Sequence, residues 1–272
     1  MLSRYAVVGQ PVGHSKSPTI HQMFAKQTAQ SLEYGKQEVA PADFADFVRD
    51  FFAQGGSGLN VTLPHKEAAR HLCDQVSARA DLAGAVNTLS IKDGKLYGDN
   101  TDGPGLIRDI SVNHDYPLAD KSILMLGAGG AARGVLAALT ELQPESITLL
   151  NRSVDKALAI RNALATVQKI EAGSFDSVQP GRSFDVIINA TSLSLEGQLP
   201  PVQNHWLHSQ SCCYDMMYAD SATVFQNWGR EQGAALSLDG LGMLVEQAAE
   251  SFLIWRGLRP ETKTVITALR QG

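Results

Sequence analysis

Midway along the chain stands the stretch Lys121-Ser-Ile-Leu-Met-Leu-Gly127-Ala-Gly129-Gly130-Ala-Ala132, in which an apolar strand leads through a glycine-rich turn into a helix. The spacing fits the dinucleotide-binding pattern G-x-G-x-x-G/A. There the first glycine permits the turn, the second admits a pyrophosphate, and the small third residue allows close packing. A glycine-rich turn can also join strand and helix without a ligand, but this context predicts a dinucleotide site. Its phosphates would meet the helix N-terminus at Gly127, Ala128, Gly129, Gly130 and Ala131.

The second strand of this unit, Ser146-Ile-Thr-Leu-Leu, ends in Asn151-Arg152-Ser153, where a site for NAD usually carries an acidic residue. An acid would repel a ribose 2′-phosphate, whereas Arg152 offers it a charged planar fork. Asn151, Ser153 and Lys156 add further donors. We therefore predict NADP as the cofactor, the alternative being an arginine that faces solvent at the end of a strand.

A third candidate loop follows the apolar run Phe184-Asp-Val-Ile-Ile188 and reads Asn189-Ala-Thr191-Ser192. Ligands of parallel sheets bind at the carboxyl ends of the strands, so Thr191 and Ser192 are candidate cofactor contacts. Ordinary turn chemistry would explain the same residues.

Composition excludes several classes of protein. The 272 residues are 44% hydrophobic with a net charge of -5, and basic residues form no run, so we expect a folded protein that binds no nucleic acid. No apolar segment has the length of a signal peptide core or a membrane span, which predicts a cytoplasmic location without membrane attachment. The three cysteines, Cys73, Cys212 and Cys213, are expected to be reduced thiols, and no histidine or cysteine spacing predicts a metal site.

Short apolar runs alternate with amphipathic stretches along the whole chain, which predicts an α/β architecture. In the first half we expect strands at 5–8, 32–34 and 59–62, helices at 18–27, 42–53 and 64–72, and a hairpin over 87–97. The strands at 123–126, 147–150 and 184–188 are more apolar, which is typical of a parallel sheet covered on both faces. Residues 102–105 predict a hinge before a helix, and residues 243–255 predict another helix.

Two hydroxyls precede the first helix, in Ser15-Lys-Ser17-Pro18. Ser17 suits an N-cap and Pro18 the first helical position, so capping alone would explain Ser17. Ser15 is not needed for a cap. Together the two hydroxyls could seat a carboxylate.

The stretch Asn60-Val-Thr62-Leu-Pro64-His-Lys66 places Asn60 and Thr62 on the same face of a strand. Lys66 falls in the first turn of the next helix, where the helix dipole disfavours a cation. Either a chemical role or a solvated lysine beside Glu67 fits that position. Asp102 opens a later helix, as an N-cap would, yet a carboxylate and a lysine beside one alcohol would supply the proton transfer that hydride transfer requires.

Taken together, the motifs strongly resemble those of the shikimate dehydrogenases, and they run in the family's order from residue 9 to the last helix. The first half of the resemblance rests on Gly9-Gln-Pro-Val-Gly-His-Ser15-Lys-Ser17-Pro-Thr-Ile-His21, Asn60-Val-Thr62-Leu-Pro-His-Lys66, Gly84-Ala-Val-Asn87-Thr and Gly98-Asp-Asn-Thr-Asp102-Gly. The second half rests on Gly127-Ala-Gly-Gly-Ala131, Asn151-Arg-Ser153, Asn189-Ala-Thr-Ser192, Tyr214-Asp-Met-Met-Tyr218 and Asp239-Gly-Leu-Gly-Met243-Leu-Val-Glu-Gln247-Ala-Ala.

The resemblance implies an NADP-dependent oxidoreductase that reversibly reduces 3-dehydroshikimate to shikimate in the chorismate pathway of aromatic amino acid biosynthesis. It implies an α/β substrate-binding and catalytic domain, residues 1–102 plus 243–272, and a Rossmann-type NADP-binding domain with a doubly wound parallel sheet, residues 103–242.

The resemblance also implies a role for each candidate residue. Lys66 and Asp102 would form the catalytic pair and flank the reacting oxygen. The substrate carboxylate would meet Ser15, Ser17 and Tyr218, and the ring hydroxyls would meet Asn60, Thr62, Asn87 and Gln247. Gly240 and Met243 would lie against the nicotinamide.

Two loops depart from the family pattern. The loop after Ser192 reads Leu193-Ser-Leu-Glu-Gly197 and lacks the usual early glycine, and Ala219-Asp-Ser-Ala-Thr223 lacks a glycine or proline. Two alternatives stay open: a quinate/shikimate dehydrogenase that also accepts NAD, and a non-catalytic regulator that senses a metabolite with the same fold. The oligomeric state, including a homodimer, is also left open.

Overall fold

The computed structural model describes residues 2–165 and 170–271, and its Cα positions group into two compact units. The first unit comprises Met1–Gly105 and Leu244–Gly272, and the second comprises Leu106–Met243. The functional division predicted from sequence, at 102/103 and 242/243, differs from these limits by three residues at one junction and one residue at the other. Within the described ranges no helix is both long and apolar enough to cross a membrane.

The first unit contains a six-stranded mixed sheet in the order β2-β1-β3-β5-β6-β4. Its strands are β1 Ser3–Gly9, β2 Leu32–Glu38, β3 Gly56–Val61, β4 Gln75–Val76, β5 Thr88–Lys92 and β6 Lys95–Asp99. Strands β1, β2 and β3 are parallel, whereas β5 runs antiparallel to both β3 and β6. As a result the end of β3, the start of β5 and the end of β6 lie at one edge of the sheet.

Helices cover this sheet with apolar side chains. They are α1 Ser17–Gln27, α2 Phe44–Ala53, α3 Lys66–Leu72 and α4 Ala78–Ala83 early in the chain, and α10 Lys263–Gln271 at its end. Phe44 and Val48 of α2 pack against Leu59 of β3, and Phe24 of α1 packs in a second cluster with Phe252. The predicted strands and helices of this half are confirmed, although α3 begins at Lys66 rather than residue 64.

The two limits between the units, at 105/106 and 243/244, fall inside helical segments. The first segment is α5, Asp102–Arg108, which continues into one π-helical turn at Asp109–Asn113, and the second is α9, Leu241–Arg256. The expectation of a hinge before α5 is wrong in one respect, because residues 102–105 themselves form its first turn. Pro104 is tolerated there because backbone N–H groups in a first turn have no partner within the helix.

The second unit contains a six-stranded, fully parallel sheet in the order β12-β11-β10-β7-β8-β9. Its strands are β7 Ser122–Leu126, β8 Ser146–Leu150, β9 Ile170–Gly173, β10 Val186–Asn189, β11 Cys212–Asp215 and β12 Leu236–Leu238, and its other helices are α6 Gly130–Thr140, α7 Val154–Leu164 and α8 Val224–Glu231. This order is that of the doubly wound Rossmann fold, which confirms the predicted fold class. The strand order reverses between β7 and β10, so the loops after these two strands are where such a sheet binds ligands.

Candidate active site

Lys66 and Asp102 form a close ion pair in the first unit. Lys66 begins α3 just after β3, Asp102 begins α5 just after β6, and the Lys66 Nζ lies 2.5 Å from Oδ2 of Asp102. The side chains are only 11% and 7% exposed, so the pair is largely removed from water. A lysine and a carboxylate in contact form an acid–base couple that can hold or release one proton beside a bound alcohol.

Asn87 orients this pair from the start of β5. Its amide nitrogen donates to Oδ1 of Asp102 at 2.8 Å and to the Thr101 hydroxyl at 2.9 Å. Its amide oxygen accepts the Thr101 backbone N–H at 2.9 Å. Both carboxylate oxygens of Asp102 are therefore occupied, one by Lys66 and one by Asn87, which holds the side chain in one rotamer.

A second polar chain runs from Asn60 to the start of α1. The Tyr34 hydroxyl donates to Oδ1 of Asn60 at 2.6 Å, and the amide nitrogen of Asn60 donates to the Asn87 backbone carbonyl at 3.2 Å. Burial raises the pKa of Tyr34 well above its usual value, while a hydrogen bond with Ser17 acts in the opposite direction, so the phenol remains a donor. Asn60 is buried, with its amide turned inward.

The two serines before α1 differ from the prediction. Ser17 is the first residue of α1 rather than its N-cap, and it is Ser15 that accepts the Ser17 backbone N–H at 3.2 Å. The Ser15 hydroxyl also donates to the Ser17 hydroxyl at 3.1 Å. Lys16 is the N-cap residue of α1 and its side chain makes no capping hydrogen bond, so the Ser15 hydroxyl is the acceptor for the first backbone N–H of this helix.

Helix α9 contributes one predicted residue and one that sequence reasoning missed. The Gln247 amide oxygen lies 3.4 Å from the Thr101 hydroxyl and 3.5 Å from the Asn87 amide nitrogen. Ser251, one turn later, is fully buried, and its Oγ lies within 2.9 Å of both Asn60 Nδ2 and the Thr88 hydroxyl. Its i, i+4 spacing from Gln247 places both on one helix face and was the signal that could have found it.

Two more predicted substrate residues lie apart from this hydrogen-bond chain. Thr62 directly follows β3 and is half-buried, and a Cβ at Gly9 would lie 2.3 Å from its Cγ2. A side chain at position 9 would therefore overlap the Thr62 side chain, and glycine avoids this overlap. Tyr218 belongs to the second unit, where burial raises the pKa of its hydroxyl.

The glycine-rich turn of the second unit follows β7, as predicted. Gly127 has φ +104°, a conformation that side chains rarely adopt, and an added Cβ would lie 3.1 Å from the backbone of Ala190. Helix α6 begins at Gly130, while Ala132 is fully buried against the sheet. Around Gly129 and Gly130 a Cβ would meet open space, so the N-terminal N–H groups of α6 remain approachable.

The residues predicted to distinguish NADP from NAD follow β8. The Asn151 amide donates to the Ser153 carbonyl at 2.9 Å and fixes the turn into α7. Arg152, Ser153 and Lys156 are exposed, and no carboxylate among residues 2–165 and 170–271 pairs with Arg152. An exposed guanidinium that has no internal partner can bind an external anion.

Asp215, at the end of β11, connects two further loops. Its Oδ1 accepts the Asn189 amide at 3.0 Å and the Met217 N–H at 3.1 Å, and its Oδ2 accepts the Thr223 hydroxyl at 2.7 Å. Asn189 in turn accepts both the N–H and the hydroxyl of Thr191. The loop carrying Thr191 and Ser192 is therefore held by β11.

The two departures from the family pattern have local solutions. Residues Leu193–Glu196 form a short 3-10 helix that ends at Gly197 with φ +69°, so the late glycine ends that turn. Thr223 caps α8 in a reciprocal capping box with Gln226.

Gly240 and Met243 follow β12 at the start of α9. A Cβ at Gly240 would lie 2.3 Å from the Met216 carbonyl oxygen, so a side chain there would separate two backbone segments. Met243 is 7% exposed. In the part of the chain that the structure describes, no group of three histidine, cysteine or acidic side chains could hold a metal ion.

Family models match three parts of the chain. Residues 7–89 match the substrate binding domain of shikimate dehydrogenase, residues 111–207 match shikimate / quinate 5-dehydrogenase, and residues 240–270 match the C-terminal domain of shikimate 5'-dehydrogenase. A curated relative from Alkalilimnicola ehrlichii, named shikimate dehydrogenase (NADP(+)), is 52% identical over 99% of both chains. The chain belongs to the shikimate dehydrogenase family.

Solved structures of family members and relatives agree over nearly the whole chain. An Ael1 enzyme from Pseudomonas putida superposes with a TM-score of 0.91 at 45% identity, covering 98% of each chain. Shikimate 5-dehydrogenase from Thermus thermophilus, solved with NADP(H) and shikimate, gives 0.88 at 32% identity, covering 100% of this chain and 99% of that one. The family predicted from the sequence motifs is confirmed.

Within this shikimate dehydrogenase fold, His21 of α1 is buried beside the polar chain. Its ring stacks on Tyr34 at a centroid distance of 4.2 Å, and neither ring nitrogen has a hydrogen-bond partner among the residues described. Burial lowers the pKa of His21 to about 3, and the Asn60 side chain acts in the opposite direction. The folded protein therefore holds this imidazole neutral.

We expect His21 to make stability fall as the pH is lowered below about 6.5. His21 takes up a proton near pH 6.5 in the unfolded chain but only near pH 3 in the folded chain. The stability that neutral His21 contributes is therefore complete above pH 6.5 and is lost progressively as the pH falls from about 6.5 to about 3. Between about pH 7 and about pH 5.5, the wild type should lose about 1 kcal/mol more than His21→Phe, measured by urea denaturation. His71→Phe, at an exposed histidine, is the matched control; equal losses in wild type and His21→Phe would contradict the expectation.

Proposed function

We propose that this chain is an NADP-dependent shikimate dehydrogenase, an oxidoreductase that reversibly reduces 3-dehydroshikimate to shikimate in chorismate and aromatic amino acid biosynthesis. The observation that carries the proposal is the largely buried contact between Lys66 and Asp102, because it supplies acid–base chemistry beside the polar groups that a hydroxylated ring requires. Relatives that match the whole chain bear the same name.

In the proposed mechanism the Lys66–Asp102 pair acts on the hydroxyl that is oxidised. Bound NADP⁺ would be the acceptor for the hydride that leaves C3 of shikimate, and bound NADPH would be the donor in the reverse direction. As the C3–H bond of shikimate breaks and its carbon becomes a carbonyl, the hydroxyl proton passes to the pair, and in the reverse direction the pair returns it. The two groups are in contact with each other, so both are assigned to catalysis.

The other substrate contacts follow from the polar chain of the first unit. Ser15 and Ser17 present two hydroxyls that can turn toward the substrate carboxylate. Tyr218, which belongs to the second unit, stays a predicted substrate residue. Ring hydroxyls would meet Thr62, Asn87 and Gln247. Since the amide of Asn60 is turned inward, its proposed part is to align Asn87 and Tyr34 beneath the ring.

The cofactor contacts are proposed along the carboxyl edge of the parallel sheet. The pyrophosphate would lie on the α6 N-terminus between Gly127 and Ala131, where free N–H groups and the helix dipole favour an anion. Asn151, Arg152, Ser153 and Lys156 would hold the 2′-phosphate. The nicotinamide would lie near Thr191, Ser192, Gly240 and Met243.

Three free thiols, Cys73, Cys212 and Cys213, support a cytoplasmic location, which we include in the proposal. The oligomeric state, including a homodimer, stays open.

The proposal is tested by assaying shikimate and quinate, each with NADP and with NAD. We expect efficient oxidation of shikimate with NADP and poor oxidation of quinate. Comparable kcat/KM for the two substrates or the two cofactors would favour a quinate/shikimate dehydrogenase, which the exposed Arg152 disfavours. No turnover under any condition would favour a metabolite-sensing regulator, which the retained Lys66–Asp102 pair disfavours.

Lys66→Ala should remove most turnover. We expect kcat to fall by roughly 10²-fold to 10⁴-fold, because the variant loses one half of the acid–base pair, while the Kd for NADP stays close to the wild-type value. Steady-state kinetics and cofactor titration measure both quantities. Lys95→Ala, at an exposed lysine of β6, is the control, and an unchanged kcat in Lys66→Ala would refute the assignment.

Arg152→Ala should weaken NADP specifically. Loss of charge-assisted hydrogen bonds to a phosphate should raise the KM for NADP roughly 10-fold to 100-fold, while the KM for NAD changes little. Arg161→Ala, in the last turn of helix α7, which begins just after Arg152, is the matched control. If both cofactors lose affinity equally, Arg152 does not read the 2′-phosphate.

A further inference from the structure

A chain of alternating charges crosses the first unit, and Arg79 of α4 is its first cation. The Arg79 guanidinium donates to both carboxylate oxygens of Asp99, at 2.7 and 3.2 Å. Its two terminal nitrogens each lie 3.3 Å from Oε1 of Glu250. Glu250 is then bound by Arg259 at 2.6 Å, and Arg259 binds Glu246 at 2.7 Å.

The two acids that Arg79 joins stand beside two different parts of the proposed substrate site. Asp99 ends β6, three residues before Asp102. Its Oδ1 accepts the Asn100 N–H at 2.7 Å, and the Asn100 side chain accepts the Asp102 N–H at 3.1 Å. Arg79 thus acts on the backbone that presents Asp102 through only two intervening hydrogen bonds.

Glu250 lies on the other side, on α9. It stands between Gln247 and Ser251 along that helix, and Glu246 precedes Gln247 directly. Glu246 is fully buried and also accepts the Thr262 hydroxyl at 2.6 Å. The rotation of α9, which decides where the Gln247 amide points, is therefore held by carboxylates on either side of Gln247.

Charge makes Arg79 the critical member of this chain. Two guanidinium groups bind three carboxylates, and among residues 2–165 and 170–271 Arg79 is the one cation that contacts both Asp99 and Glu250. Without it, Asp99, which is 6% exposed, and Glu250 would face each other as like charges with little solvation. Removing one partner of a buried ion pair lowers the stability of the fold by far more than the pair itself contributes. We therefore expect the Asp99–Asp102 segment and helix α9 to move apart when Arg79 is replaced.

We propose that Arg79 is a positioning residue of the substrate site: its fork ties the Asp99–Asp102 segment to helix α9 so that Asp102 and Gln247 reach the same ligand. This inference rests on the proposed function for the identity of that ligand. The link that Arg79 makes between the Asp99–Asp102 segment and helix α9 does not depend on which ligand binds.

The experiment compares four variants with the wild type. They are Arg79→Gln, Arg79→Lys, Glu250→Gln and the double variant that combines Arg79→Gln with Glu250→Gln. We expect Arg79→Gln to raise the KM for shikimate by about 10-fold or more, with the KM for NADP within about twofold of wild type. Arg79→Lys keeps the charge but loses the planar guanidinium, so its KM for shikimate should lie between those of the wild type and Arg79→Gln. The double variant should be no worse than Arg79→Gln, since both substitutions cut one link.

The matched control is Arg182→Gln, which removes an arginine–glutamate pair in the second unit. A wild-type KM for shikimate in Arg79→Gln, or a lower melting temperature with unchanged kinetics, would show that Arg79 serves stability alone. If Arg79→Gln does not fold, Arg79→Lys and Glu250→Gln carry the same comparison, and wild-type kinetics in both would overturn the inference.

Hydrogen exchange separates failure of this inference from failure of the proposed function. In Arg79→Gln, faster exchange is expected in peptides covering β6 to Asp102 and the Gln247 region of α9, but not in β1 or β2. If the wild-type enzyme does not turn over shikimate, the proposed function falls, and the exchange pattern alone then decides whether Arg79 ties the two segments. Unchanged exchange in both segments would refute the tie.

Discussion

A largely dehydrated ion pair between Lys66 and Asp102 is the interaction around which the first unit is arranged. Such a pair is stable only when its remaining hydrogen-bonding capacity is met, and Asn87 meets that requirement at the second oxygen of Asp102. These three residues come together because β3, β5 and β6 are neighbours in alternating directions. The end of β3, the start of β5 and the end of β6 therefore lie at the same edge, although 36 residues separate Lys66 from Asp102.

The second unit reaches a comparable convergence with a different sheet. All its strands are parallel, so every loop that follows a strand lies at the carboxyl edge. Two close backbone approaches, at Gly127 and Gly240, exclude side chains, and the buried carboxylate of Asp215 joins the loops after β10 and β11. Burial raises the pKa of Asp215, whereas its four hydrogen-bond donors, from Ser194, Thr223, Met217 and Asn189, act in the opposite direction. Backbone spacing alone accounts for glycine at positions 127 and 240.

Motifs with a strong local cause were predictable from the sequence. The strand, turn and helix around Gly127 follow from apolar periodicity and glycine spacing, and the hairpin over 87–97 follows from Asp93-Gly94, whose φ values are both positive. Local capping was less predictable: Ser15 and not Ser17 accepts the first free N–H of α1, because side-chain rotamers decide which hydroxyl reaches it. Ser251 and Thr88 were not predicted because a buried hydroxyl by itself leaves little sequence signal, and for Ser251 the available signal is its i, i+4 spacing from Gln247.

The sequence by itself determined the family, the α/β class, the Rossmann half and the residue types available for chemistry, because glycine spacing, strand periodicity and motif order are local properties. Only the tertiary structure decided which of those residues touch. From its local position alone Lys66 fitted a catalytic and a solvated role equally well, and the family resemblance assigned it to the catalytic pair; the structure places Asp102 2.5 Å from it. No motif singled out Arg79, whose guanidinium joins Asp99 to Glu250. Contacts between residues 36 and 171 positions apart depend on sheet order and helix packing, which no local pattern encodes.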